Sequence, residues 1–65
     1  MCESNAYILK DGSEKLIMES VGSVTFQGDY VSLKSIFGEE TRLKGRLIEL
    51  NLIGHRILLE SEEET

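Results

Sequence analysis

Turn signals recur at about ten-residue spacing along this chain, and that spacing constrains the fold more than any other feature. Asp11-Gly12 opens the series, a pair that accepts the positive φ angles of a type I′ hairpin turn. Gln27-Gly28-Asp29, Phe37-Gly38-Glu39-Glu40 and Asn51 to Gly54 follow, and Gly22 marks a bend or bulge. Regularly spaced turns predict many short strands in a sandwich or barrel. The segments between them agree. In "YVSLKSI", Val31 and Leu33 alternate with Ser32 and Lys34. In "SVTFQ", Val24 and Phe26 share a face, and Ile57 and Leu59 share one in "HRILLE".

The stretch "TRLKGRLIELNL" carries a further signal. Leu43, Gly45 and Leu47 lie on one face and Arg42, Lys44 and Arg46 on the other. After Leu47 the apolar phase slips by one, to Ile48, Leu50 and Leu52. Such a slip is what a bulge or barrel corner produces. A helix competes over Leu43 to Leu52, but Gly45 weakens it and no capping pattern precedes it. The expected fold is all-β: a small antiparallel barrel of five to six strands, SH3-like in scale. Closure removes edges that would otherwise recruit other chains. Residues 1–60 form one β domain, and 61–65 read as an acidic disordered tail. At 65 residues the barrel is marginally stable on size alone, and a metal or a partner subunit is a common supplement.

Twelve acidic against seven basic residues give a net charge of −5. That balance argues against nucleic acid, because backbone binding needs basic patches. Arg42, Lys44 and Arg46 are the one close basic cluster and read as a solvated strand face. Tyr7, Phe26, Tyr30 and Phe37 could form a base-stacking platform, but without a basic groove they read as core and dimer contacts. No segment approaches the ~20 apolar residues of a membrane span. No signal peptide is legible, so a cytoplasmic protein is expected.

Cys2 is the single cysteine of the chain. It excludes an internal disulfide and leaves a free thiol, an intermolecular bridge or a metal ligand. A terminus is a poor place for a packing residue and a good one for chemistry. The α-amine of Met1, the Cys2 amide nitrogen and the Cys2 thiolate would form two fused five-membered chelate rings in one plane. That set suits square-planar Ni(II) or Cu(II). Zinc prefers a tetrahedral site with more Cys and His side chains. If the initiator methionine is removed, the Cys2 amine and thiolate chelate directly, with the Glu3 amide third. The metal must displace protons from groups whose ordinary pKa values are about 7.7–8.0 and 8.5, so affinity rises with pH. Water, the Glu3 carboxylate, a second Cys2 or His55 could fill the fourth position. His55 beside Gly54 reads as an exposed turn histidine; a ligand role requires the last strand to lie beside the first. Glu39 and Glu40 read as solvated, and Met18 as a core residue beside Leu16. Cys2 has no catalytic base suggested by the sequence, so no enzyme is expected.

Met1-Cys2, the β-rich opening strand, the Asp11-Gly12 hairpin, Ile36-Phe37-Gly38-Glu39-Glu40 and the closing Ile57-Leu58-Leu59-Glu60 together resemble the CooT family of small nickel-binding proteins. The resemblance spans essentially the whole chain. It implies an accessory protein for nickel insertion into carbon monoxide dehydrogenase, with Ni(II) on Cys2 and with Met1 and Glu3 contributing by adjacency. It also implies a homodimer, and carbon monoxide dehydrogenase or its nickel-insertion machinery as partner. The competing readings are an Sm-like interaction module with an incidental thiol, and a redox sensor joined through Cys2.

Overall fold

The computed structural model describes residues 3–61. Five strands run in chain order: β1 (Ser4–Lys10), β2 (Ser13–Gln27), β3 (Tyr30–Ser35), β4 (Glu40–Asn51) and β5 (Arg56–Ser61). They close into a barrel in the order β1-β2-β3-β4-β5. The expected all-β barrel is therefore what the chain forms, with five strands. One pair departs from the antiparallel pattern: β5 closes onto β1 in parallel, with Asn5 opposite Arg56 and Leu9 opposite Glu60. In an up-and-down chain the first and fifth strands run the same way, so closing an odd number of strands forces one parallel pair. Ser61, expected in the tail, is the last residue of β5 and pairs with Gly45. Residues 62–65 lie outside the described residues.

Each turn forms where the sequence places it. Asp11 and Gly12 both take positive φ, 53° and 79°, as a type I′ turn demands. Gly28 takes 57° between β2 and β3, and Gly38 takes 92° between β3 and β4. The slip after Leu47 is a bulge, where the β4–β5 register shifts between Leu47 and Glu49. Gly22 also sits at a register shift, between Val21 and Ser23 in the β2–β3 ladder. There β2 turns from one neighbour to the next: Ser13–Val21 pairs with β1, and Val21–Gln27 with β3. The residues before and after Gly22 thus belong to one bent strand, Ser13–Gln27.

The core is aliphatic. Ala6, Met18, Val21, Val31, Leu33, Leu43, Ile57 and Leu59 form it, with Ile8, Ile17, Val24 and Leu47 packed against it. Met18 is buried as expected, but Leu16 is not beside it. A register shift between Ala6 and Tyr7 leaves Ile17 unpaired, and Leu16 emerges opposite Tyr7, 43% exposed. The aromatics also leave the expected core. Phe26, Tyr30 and Phe37 are exposed, and Tyr7 is half-buried under the Arg56 guanidinium. A five-stranded barrel has room only for small and branched side chains. Leu58 is buried on the outer face, between Tyr7 and Glu49, which the alternation of Ile57 and Leu59 does not anticipate. Gly45 is fixed by close approach: a Cβ there would stand 2.1 Å from the Glu60 carbonyl oxygen.

Candidate metal centre at the amino-terminal rim

The parallel closing pair decides what surrounds the amino terminus. Because β1 and β5 start at the same end of the barrel, the start of β1 lies beside the β4–β5 loop. Asn5 is the clasp. Its backbone N–H donates to the His55 carbonyl at 3.0 Å. Its side-chain Oδ1 accepts from the Ser20 N–H at 3.3 Å. Ser20 holds a left-handed φ of 58°, and its carbonyl accepts from the Ile36 N–H at 2.9 Å. Its Oγ donates to Glu3 Oε1 at 3.4 Å. Four segments thus meet at the start of β1: Glu3–Asn5, the bend of β2, the β3–β4 loop and the β4–β5 loop.

The β4–β5 loop is built by Asn51. Its Oδ1 accepts from the backbone N–H groups of Ile53 and Gly54, at 3.1 and 2.8 Å, a local Asx turn. His55 ends the loop at φ 56° and is half-buried. Among the described residues its imidazole has no hydrogen-bond or ion-pair partner. The sequence condition for a His55 ligand role, a last strand beside the first, is met. An exposed turn histidine is not what the chain has.

Of the expected site residues, Glu3 is exposed at this rim and hydrogen-bonded to Ser20. Met1 and Cys2 lie outside the described residues. Among the described residues, no group of three or more His, Cys, Asp or Glu side chains could hold a metal ion. Glu39 and Glu40 line an open cleft with Glu19, Ser20 and Phe37. The Glu39 backbone N–H is bonded to Ser35 Oγ, and the Glu40 carboxylate accepts from Ser32 Oγ. The basic strand face is engaged along the outer wall. Arg42 stacks on Tyr30 at 4.6 Å, and Arg46 pairs with Glu60 at 2.8 Å.

Sequence reasoning missed Asn5 and Ser20. Asn5 read only as the start of a strand, and its two contacts depend on register shifts that local alternation does not reveal. Polar Asn at a strand entry was the available signal. Among the described residues no helix is long and apolar enough to cross a membrane.

Comparison with known proteins gives three findings. A family model described as "CO dehydrogenase accessory protein CooT" matches residues 1–60. An uncharacterised protein of Archaeoglobus fulgidus is 38% identical over 45 residues, 69% of this chain and all of that protein. A crystal structure of a candidate CooT from Carboxydothermus hydrogenoformans superposes with a TM-score of 0.86 at 35% identity, covering 95% of this chain and all of that one.

Proposed function

This chain belongs to the CooT family, accessory proteins of CO dehydrogenase rather than enzymes, and from that premise we propose that it is a nickel carrier. In this reading it holds Ni(II) at its amino terminus and passes it on during maturation of carbon monoxide dehydrogenase. The family match from residue 1, which takes in Met1-Cys2, is the observation that carries the reading.

With Met1 as the amino terminus, the Cys2 thiolate, the Cys2 amide and the Met1 amine bind the metal in one plane through two five-membered rings. Thiolate and nitrogen donors suit Ni(II) at the borderline of soft and hard. Glu3 adds its backbone and a nearby carboxylate. Nickel is the cargo, so the site is open on one side and exchangeable, where a closed four-ligand site would trap it. The rim is compatible with this reading: Asn5 pins the start of β1 to the β4–β5 loop and to the bend of β2. The carrier works in the cytoplasm, where the thiol stays reduced. It acts as a homodimer, with carbon monoxide dehydrogenase or its nickel-insertion machinery as recipient.

A transfer assay tests this. Nickel-loaded protein is mixed with nickel-free carbon monoxide dehydrogenase and a chelator that suppresses free nickel. Wild type restores CO oxidation and Cys2→Ser does not. Equal restoration by both proteins would refute the role of Cys2.

A further inference from the structure

The outer face of β3 and β4 gathers charge of one sign. On β3 the buried side chains of Val31, Leu33 and Ser35 point inward, so Tyr30, Ser32 and Lys34 face out. On β4, Leu43 and Gly45 face in, so Arg42, Lys44 and Arg46 face out. The antiparallel register sets Tyr30 opposite Lys44 and Ser32 opposite Arg42. Four of the seven basic residues, Lys34, Arg42, Lys44 and Arg46, thus share one face of a chain with net charge −5. We propose that this face docks an extended acidic segment of a partner protein, with carboxylates at alternate positions.

Which cations are uncommitted decides the fit. Arg46 is bonded to Glu60 at 2.8 Å. The other acid on this face, Glu40, accepts from Ser32 Oγ at 3.3 Å, and although it stands opposite Lys34 no ion pair joins the two. Among the described residues the charged ends of Lys34, Arg42 and Lys44 have no ion-pair or hydrogen-bond partner. Arg42 is held by a ring contact instead, 4.6 Å from the Tyr30 centroid, which leaves its N–H groups able to grip a carboxylate in a bidentate pair. Residues two apart on a strand stand about 6.6–6.8 Å apart on one face. Arg42 and Lys44 therefore match carboxylates at positions i and i+2 of an extended segment lying along β4. The Arg46–Glu60 pair shows a carboxylate already seated at the next position of the row. Charge selects the class of partner. A nucleic acid or an anionic lipid surface sets many charges against a chain of −5, and three free cations release too few counterions to hold it. A segment with two or three carboxylates meets those cations one for one.

The experiment titrates 15N-labelled full-length protein with the capped peptide Glu-Thr-Glu-Thr-Glu at low salt and follows NMR signals. Saturable shifts are expected at the amides of Tyr30 to Lys34 and Arg42 to Arg46, fading as added salt screens the exposed charges. Lys44→Glu should weaken binding by about threefold or more. Lys15→Glu changes the net charge equally but lies on β2, and should leave binding within about twofold of wild type. Equal weakening by the two variants would reduce the effect to overall charge and overturn the proposal, as would shifts elsewhere or none. Tighter binding of oligouridylate, or of phosphatidylglycerol vesicles, than of the peptide would overturn the choice of partner. So would shifts of the Lys34 and Lys44 amine signals, with no peptide present, in a Glu62→Gln, Glu63→Gln, Glu64→Gln variant, because the chain's own acids would then cover the face. None of these readouts involves nickel, so the carrier reading stands or falls separately.

Discussion

Gly45→Ala isolates the tightest contact in the barrel. An added Cβ would stand 2.1 Å from the Glu60 carbonyl oxygen, 3.1 Å from its carbon and 3.2 Å from Leu43 Cδ1. Real Cβ contacts essentially never fall below 3.0 Å, so β4 and β5 must separate locally by 3.0 − 2.1 = 0.9 Å. The obstacle is backbone, and no side-chain rotation relieves it. A ladder bond of about 2.9 Å stretched by that amount is no longer a hydrogen bond. Losing one or two such bonds costs about 0.5–1.5 kcal/mol each, and overpacking adds about 1–3 kcal/mol. The reduced freedom of alanine in the unfolded chain returns about 0.5–1 kcal/mol. The net loss is about 2–4 kcal/mol. A chain of this length has a total stability of roughly 3–10 kcal/mol. The change should lower Tm by about 10–30 °C. Thermal unfolding followed by far-ultraviolet circular dichroism measures it, with Gly12→Ala as control. Gly12 is left-handed but has nothing within 4 Å of its added Cβ, so only backbone strain of about 1–2 kcal/mol applies. A Gly45→Ala Tm within about 3 °C of wild type would refute the close-approach argument.

Other substitutions probe other links. Ser35→Ala removes the buried hydroxyl that accepts from the Phe37 and Glu39 N–H groups, both at 3.1 Å. It should cost about 1–3 kcal/mol in a urea melt and loosen amide exchange in the β3–β4 loop first. Leu33→Ala, at a fully buried core position, should cost about 2–5 kcal/mol in the same melt. Arg46→Ala breaks an ion pair whose side chains are 73% and 42% exposed, so stability should change by less than about 0.5 kcal/mol.

These positions also show what the sequence discloses and what it withholds. Asp11-Gly12 was legible because a type I′ turn is a local requirement on two residues. The bulge after Leu47 was legible because it changes the phase of apolar residues within one strand. Gly22 was legible as a bend, but the left-handed residue near it is Ser20, held by Asn5 of β1 and by Ile36 of the β3–β4 loop. The emergence of Leu16 depends on the shift at Ile17, a property of the β1–β2 pair rather than of either strand. Leu50 pairs with buried Ile57 on the same face, yet is 52% exposed. Alternation assigns its face and says nothing of where the barrel ends. At the candidate site the chelate expected at Cys2 rests on donor types alone, and Met1 and Cys2 lie outside the described residues. That His55 lies against the start of β1 followed from closure, which the turn spacing implied. The Asn5 clasp was not legible, because it requires the register of three strands at once.

The central claim is that nickel is held at the amino terminus through Cys2. The most direct measurement is an absorption titration of wild type and Cys2→Ser with Ni(II), under reductant and at several pH values. The account predicts a thiolate-to-nickel charge-transfer band that saturates at a simple ratio in wild type, strengthens as pH rises through the ordinary range of the amine and thiol, and vanishes in Cys2→Ser. No band in wild type, or one that survives in Cys2→Ser, would contradict it.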